Sequence, residues 1–469
     1  LFLLWSLSIV PGQGQNVFPI NHGTVLEMEA VQTPAGTFVT ALMENISSVP
    51  SGHCVSVYRS ADNGATWDSV TRFVNDTSFT FGDPVMTLDS SGIISLVFMG
   101  MPQKDKWTES HLQLYQSVDD GLTWQFKGEP YSGSEMADFP QIISSGSAKL
   151  HLTYTIYTPD TYINYINSSD GGTTWSNPVT FIYGSGSPVI AFMGCDIGIT
   201  GNNAYCLAFG DASHNLIYFS ISMDAGITWG LLDTIPGIIK STVNKVISRN
   251  GLLPIGIISH QPHTLIKPLF FSVSIDQGAT WTTHIISDNA SYGEGFLDAG
   301  GAFHVIYSNL LDSTEFRLMY TYSDDSGETF KDPVVLHSGT NTVNWLTGEY
   351  QSLILAKDNL FHLTFVDGSD SARAKQIIFA PLLSGTMTPA AACKMPGVFP
   401  NPFKDVLNVT LPPGSDFRDY ELTDRRGILV QSGKLKESQT QLKIPRNDNG
   451  MFLLKLISST RIYICKIIR

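Results

Sequence analysis

The chain returns six times to one eight-residue pattern, S-x-D-x-G-x-T-W. The first copy carries Ser60, Asp62, Gly64, Thr66 and Trp67, and the second carries Ser117, Asp119, Gly121, Thr123 and Trp124. Further copies start at Ser168, Ser222 and Ser274, and a sixth starts at Ser323 and ends in Phe330 instead of Trp. Successive starts lie 57, 51, 54, 52 and 49 residues apart. So even a period marks repeated supersecondary units, none of which can bury its apolar face alone, so they must stack.

The pattern has a direct physical meaning. Each copy stands between two strand-like runs, as 53–59 and 66–74 flank the first, so it is a hairpin turn. The Asp carboxylate accepts backbone N–H bonds within the turn. Gly supplies a positive φ that a side chain would resist. Trp opens the outgoing strand, where its indole can be buried between neighbouring sheets. Asp62, Asp119, Asp170, Asp224, Asp276 and Asp325 are therefore expected to be scaffold.

Such turns are Asp boxes (BNR repeats), and through them residues 20–384 resemble the sialidase-like β-propeller superfamily. The resemblance implies a fold more than a reaction, because such propellers host glycosidases, sorting receptors, assembly factors and plain binding modules.

Each repeat parses as four strands; in the second they are 83–88, 93–100, 111–117 and 123–127. A seventh unit, with strands at 350–355, 360–366 and 375–381, has neither the turn nor a fourth strand of its own. The unclaimed segment 16–20 is expected to supply that strand and close the ring. The fold class is all-β: a seven-bladed β-propeller, with six blades as the alternative, followed by a small β-sandwich.

Charge marks the boundary between the two. The net charge is −14, but residues 386–469 carry +6 and residues 1–385 carry −20. The acidic excess argues against nucleic acid or an anionic membrane as partner. The expected layout is an apolar leader at 1–14 that looks like a truncated signal peptide, the propeller at 15–384, a linker at 385–398 and the sandwich at 399–469. No other run is long enough for a membrane span. Cys195 and Cys206, nearly symmetric about Gly201, are candidates for a cross-strand disulfide.

The last segment carries Pro400-Asn401-Pro402, then Leu422-Thr423-Asp424-Arg425-Arg426-Gly427, then Gly450-Met451-Phe452 and a basic end, Lys466-Ile467-Ile468-Arg469. In that order these elements resemble the type A C-terminal sorting domain of type IX secretion. The resemblance implies export across both membranes of a Gram-negative cell. The type IX machinery would be a partner, the outer surface or the medium the destination, and the mature chain would have no transmembrane anchor.

Chemistry is expected at the other end of the propeller from the repeated turns, where the first strand of each blade enters the central channel. Aligning the blades puts Glu27, Asp83, Asp138, Asp196, Asn244, Glu294 and either Glu349 or Tyr350 at that mouth. Carboxyl groups crowded about one axis raise one another's pKa, and perturbed acids in a concave site are functional candidates. Asp83, Asp138 and Glu294 are the candidate catalytic acids. Glu27, Asp196, Glu349, Tyr350, Trp107 and Trp345 are candidate ligand contacts, since flat aromatic faces beside carboxylates suit sugar rings. Tyr131, Tyr157, Tyr162 and Tyr292 fall in or near the same loops.

Three uses of the ring stay open: a glycoside hydrolase with an acid and a nucleophile or base, a Ca²⁺ site, or carboxyls that only accept backbone N–H bonds. No cofactor is otherwise implied. The sialidase reaction itself fits poorly, because that family grips a substrate carboxylate with three Arg. Arg59, Arg72, Arg249, Arg317 and Arg373 all map away from the mouth. The leading expectation is a module that binds glycan or protein without turnover; hydrolysis is the alternative.

Overall fold

A computed structural model describes residues 17–21, 24–45, 53–74, 80–101, 110–157, 161–182, 195–211, 216–238, 242–260, 268–311, 315–340, 351–368, 373–379, 397–399, 406–411, 417–424, 428–436, 439–443, 451–457 and 462–468. The leader at 1–14 and most of the linker lie outside them, as do Trp107, Trp345, Glu349 and Tyr350.

The alternating and continuous apolar runs between the repeated turns pair as antiparallel strands. Up to residue 379 the described residues form seven four-stranded sheets. Their innermost strands are Thr24–Gln32, Thr80–Leu88, Met136–Gly146, Cys195–Ile199, Thr242–Ile247, Ala290–Leu297 and Gln351–Leu355. Each packs against the next, and the seventh packs against the first, so the cycle closes. These sheets are the blades of a propeller, numbered 1 to 7 in chain order.

Blade 7 takes its outer strand from the other end of the chain. Val17–Pro19 pairs antiparallel with Arg373–Phe379, with Val17 opposite Ile377, and the Ile20 N–H donates to the Ala374 carbonyl at 2.9 Å. The expected closure by the segment before residue 20 is therefore present. It ties the ends of the propeller together and leaves no open blade.

The six repeated turns share one geometry. In the first, the Thr66 N–H and hydroxyl donate to the two oxygens of Asp62 at 2.9 and 2.6 Å, and the Ser60 hydroxyl donates to Asp62 at 2.8 Å. The Gly64 N–H donates to Ser60 Oγ at 2.8 Å. Asp119, Asp170, Asp224, Asp276 and Asp325 accept the same bonds. These bonds, the Thr hydroxyl first, hold the Asp62 and Asp170 carboxyls down at about 2, so both stay ionised. The residue before each Gly is left-handed as well, from Asn63 at φ 59° to Ser326 at φ 63°.

Each turn also joins two blades. A Cβ on Gly121 would meet Val39, and one on Gly172 would meet Leu114; on Gly226 it would meet Tyr165, and on Gly278 Phe219. In each case the neighbour belongs to the preceding blade. The ring that follows packs into the same seam: Trp124 against Val39 and Val57, Trp175 against Leu114, Trp229 against Tyr165, Phe330 against Phe271. Burying about 150 Å² of such a ring is worth about 4 kcal/mol before ordering costs. Six repeats of one motif therefore fix both the turns and the spacing of the blades.

One expectation needs correction. Cys206 lies opposite Gly198 and Cys195 lies opposite Phe209, so the two are three positions out of register, and both are free thiols. The turn between them is a 3-10 segment, Gly201–Asn203, that closes asymmetrically about the supposed centre at Gly201.

The C-terminal unit has a three-stranded sheet of Gly397–Phe399, Val406–Thr410 and Gln439–Lys443. A four-stranded sheet contains Asp419–Asp424, Leu429–Lys434, Met451–Ile457 and Ile462–Ile468. Leu407, Val409, Leu442, Leu422, Phe452 and Leu454, from both sheets, form one buried core.

Candidate functional site

The channel mouth is shaped by irregularities in the inner strands. The register with the second strand slips between Val25 and Glu27, Gly82 and Val85, Asp138 and Gln141, Val243 and Lys245, and Ala290 and Gly293. All five slips lie at the mouth end. A bulge turns a side chain off its alternating direction, and here it turns acids toward the axis. Asp83 and Phe139 sit in these bulges at φ 50° and 47°. A non-glycine residue there carries strain of about 1 kcal/mol or more.

Blades 1 to 3 bring three carboxyls into contact. The Asp83 N–H donates to Glu27 Oε2 at 2.7 Å. The Asp83 carboxyl is the charged neighbour of Glu27 on one side and of Asp138 on the other. Asp138 is 9% exposed and also accepts the Phe139 N–H at 3.0 Å. Burial first, and the Asp83 charge second, push both Glu27 and Asp138 well above the usual carboxylate range. Such a row cannot be fully ionised, and its protons make it a hydrogen-bond donor as well as an acceptor.

Blades 4 to 6 differ, because a cation lies among the acids. The Lys245 ammonium is 3.5 Å from Glu294 Oε1. Asp196, 4% exposed, is held by the Val246 N–H at 2.7 Å and the Ile197 N–H at 2.8 Å, and it too feels Lys245. Glu29 of blade 1 faces the same group and accepts a bond from the Ser352 hydroxyl of blade 7 at 2.8 Å. Burial would strip Lys245 of its proton, but Glu294, Asp196 and Glu29 outweigh burial and keep it charged. Burial raises Glu294 to about 7, with Lys245 working against the rise and Glu29 and Asp196 adding to it. Tyr292, half-buried and facing Glu294, is raised by burial and by that carboxyl.

The structure thus brings Glu27, Asp83, Asp138, Asp196 and Glu294 to one mouth. Lys245 was missed: the alignment placed Asn244 there, and the slip after Val243 substitutes its neighbour. The signal was present as the one Lys or Arg in any of the seven inner strands. Glu29 was missed as well, two residues from the expected Glu27, and Tyr292, expected in or near a mouth loop, lies in the inner strand Ala290–Leu297.

Farther out, Tyr162 donates to Glu135 Oε2 at 2.7 Å and Tyr131 to the Glu135 carbonyl at 3.4 Å, so both are tied to the segment that leads into Asp138. The side chain of Tyr157 lies outside the description. The recurring His of the second strands are structural: His151 bonds Tyr165 at 2.7 Å and Ser145 at 2.8 Å, and His304 bonds Tyr320 at 2.8 Å.

Of the five propeller arginines, Arg59, Arg72, Arg317 and Arg373 sit on third or fourth strands, and Arg249 stacks on Phe296 in a turn. Among the described residues no group of three or more His, Cys, Asp or Glu is arranged to hold a metal ion.

Residues 397–469 match the family described as secretion system C-terminal sorting domain. The chain ends in a secretion sorting domain. That domain marks the protein for export by the type IX route. No helix among the described residues is long and apolar enough to cross a membrane. No curated protein matches the chain in sequence.

Solved structures similar to the chain are propellers. One is an α-L-arabinofuranosidase, Arb93A from Fusarium graminearum, in complex with an iminosugar inhibitor. It is 14% identical, with 78% of this chain and 96% of that chain covered and a TM-score of 0.46. A Hadza microbial sialidase is 15% identical over 76% of this chain and 66% of that chain, with a TM-score of 0.48. A protein of unknown function from Dyadobacter fermentans is 12% identical, covering 79% and 100% at a TM-score of 0.45. These likenesses concern the fold alone.

Proposed function

We propose that the exported propeller binds an uncharged glycan at its channel mouth and holds it without turnover. The observation that carries this is the row Glu27, Asp83, Asp138: the Asp83 N–H donates to Glu27, Asp83 neighbours both other acids, and Glu27 and Asp138 are both pushed up toward the protonated form, in which a carboxyl donates as well as accepts. Sugar hydroxyls need both. A site that pairs buried polar groups with a ligand discriminates strongly against ligands that leave them unpaired. The acidic mouth and its want of Arg disfavour sialic acids and other carboxylated sugars. The repeated turns, as Asp boxes, serve as scaffold on the opposite face, and the sorting domain delivers the propeller to the outer surface or the medium.

A glycan array probed with the full-length protein tests this directly. Binding to neutral glycans, lost in Asp83→Asn and Asp138→Asn variants that keep their melting temperature, supports it. Retention of the same binding in both variants removes it.

One observation favours a second reading. Glu294, at about 7, could hold a proton at neutral pH and give it up, as a glycosidase acid does. Asp83 and Asp138 are the other candidate carboxyls of that reading. Sugar release from mixed plant and mucin glycans, measured by mass spectrometry and abolished by Glu294→Gln, would replace binding with hydrolysis.

A further inference from the structure

We propose that Lys245 is a positioning residue of the mouth: its ammonium orients the Glu294 carboxyl and keeps it an acceptor for a sugar hydroxyl. The assignment rests on reading the mouth as a glycan site. It divides the ring into two halves that a ligand meets differently.

The geometry is specific. Lys245 enters from blade 5 just after a register slip in the inner strand, between Val243 and Lys245. Its Nζ lies 3.5 Å from Glu294 Oε1 on blade 6. Asp196 approaches from blade 4 and is fixed by two backbone N–H bonds at 2.7 and 2.8 Å, so it cannot follow the ammonium. Glu29 from blade 1 is likewise fixed by Ser352. Among the described residues, Glu294 is bound by the Gly295 N–H, at 3.2 Å, and by Lys245. Of the acids around the ammonium, Glu294 therefore depends most on it for its orientation.

The titratable and charged groups facing Glu294 are Lys245, Glu29, Asp196 and Tyr292. Lys245 is the one cation in that set. Among the described residues, the causes of the raised Glu27 and Asp138 include no cation, and both are pushed toward the protonated form. The Lys245 half settles its charge by ion pairing. The Lys245 ammonium draws Glu294 toward its charged, accepting form, which gives a bound sugar a preferred direction across the channel.

The test uses the full-length protein without ligand, so that its failure is separable from failure of the glycan reading. Carboxyl-labelled glutamate is followed by NMR, with Glu294→Gln assigning the signal. Lys245→Met should raise the proton affinity of Glu294 at least tenfold, and Lys245→Arg should restore it. An unchanged midpoint in folded Lys245→Met overturns the proposal, whether or not a glycan binds. Should Lys245→Met not fold, Glu294→Gln reads the same coupling from the other side. The Lys245 ammonium, labelled at Cε, should then lose its proton at least one pH unit lower, and an unchanged midpoint again overturns the proposal.

Discussion

The Asn21 side chain donates to Glu44 Oε1 at 2.6 Å while its own Oδ1 accepts the Ala374 N–H at 2.9 Å. One amide thus spans the seam between blade 7 and blade 1. Glu44 is 1% exposed and is further held by the Tyr58 hydroxyl at 3.1 Å. The closing strand is three residues long, so this side chain supplements a short ladder.

Asn21→Ala should therefore destabilise the propeller by about 2–3 kcal/mol, because it removes one partner of the buried Glu44 carboxyl and the side-chain acceptor of the buried Ala374 N–H. Asn21→Asp should cost more, by setting a second carboxylate against Glu44. Urea denaturation of the full-length protein checks both. Equal midpoints for wild type and Asn21→Ala would show that the strand closes the ring unaided.

The repeated turns predict a contrast between two glycines. Gly226 has φ 83°, and a Cβ there would overlap the Tyr165 hydroxyl of the preceding blade. Gly301 has φ 88° with nothing near. Gly301→Ala should cost about 1 kcal/mol from backbone strain alone. Gly226→Ala should cost about 2–4 kcal/mol, since it must also displace a packed ring. Equal losses in melting temperature would mean that the turn does not join the blades.

Two buried groups give opposite pH dependences. Burial lowers His151 to about 4 from 6.5, so between those values the unfolded chain binds a proton that the folded chain refuses. Stability should fall by about 3 kcal/mol as pH drops from 6.5 to 4, and His151→Gln should remove that slope. Glu294 is raised to about 7 from 4.5, so its folded form keeps the proton. Its contribution is complete below 4.5 and is lost as pH rises through 7; Glu294→Gln should flatten that limb. Unfolding free energies across pH 4–8 for the three proteins would refute the assignment if their slopes coincide.

Much of this architecture could be read from the sequence because it repeats. The pattern around Asp62 occurs six times, so its spacing exposes the blades, and the unclaimed segment before residue 20 exposes the closure. The acids of the mouth were legible because strand starts can be aligned on those turns. Bulges were not legible. The slip between Val243 and Lys245 leaves no mark in the alternation of the sequence, so Asn244 was expected at the mouth and Lys245 was not. The register of Cys195 and Cys206 failed for a similar reason, since a 3-10 turn replaced a symmetric one. A left-handed residue before each turn glycine escaped notice because Ala225 and Gln277 fill that place as readily as Asn63.

The most direct test of the whole account is a glycan array read with the full-length protein beside its Asp83→Asn variant, on neutral and sialylated glycans. The account predicts that neutral glycans are retained, that sialylated ones are not, and that Asp83→Asn loses the signal at unchanged melting temperature. Preferential capture of sialylated glycans, or neutral-glycan binding that survives Asp83→Asn, would contradict it.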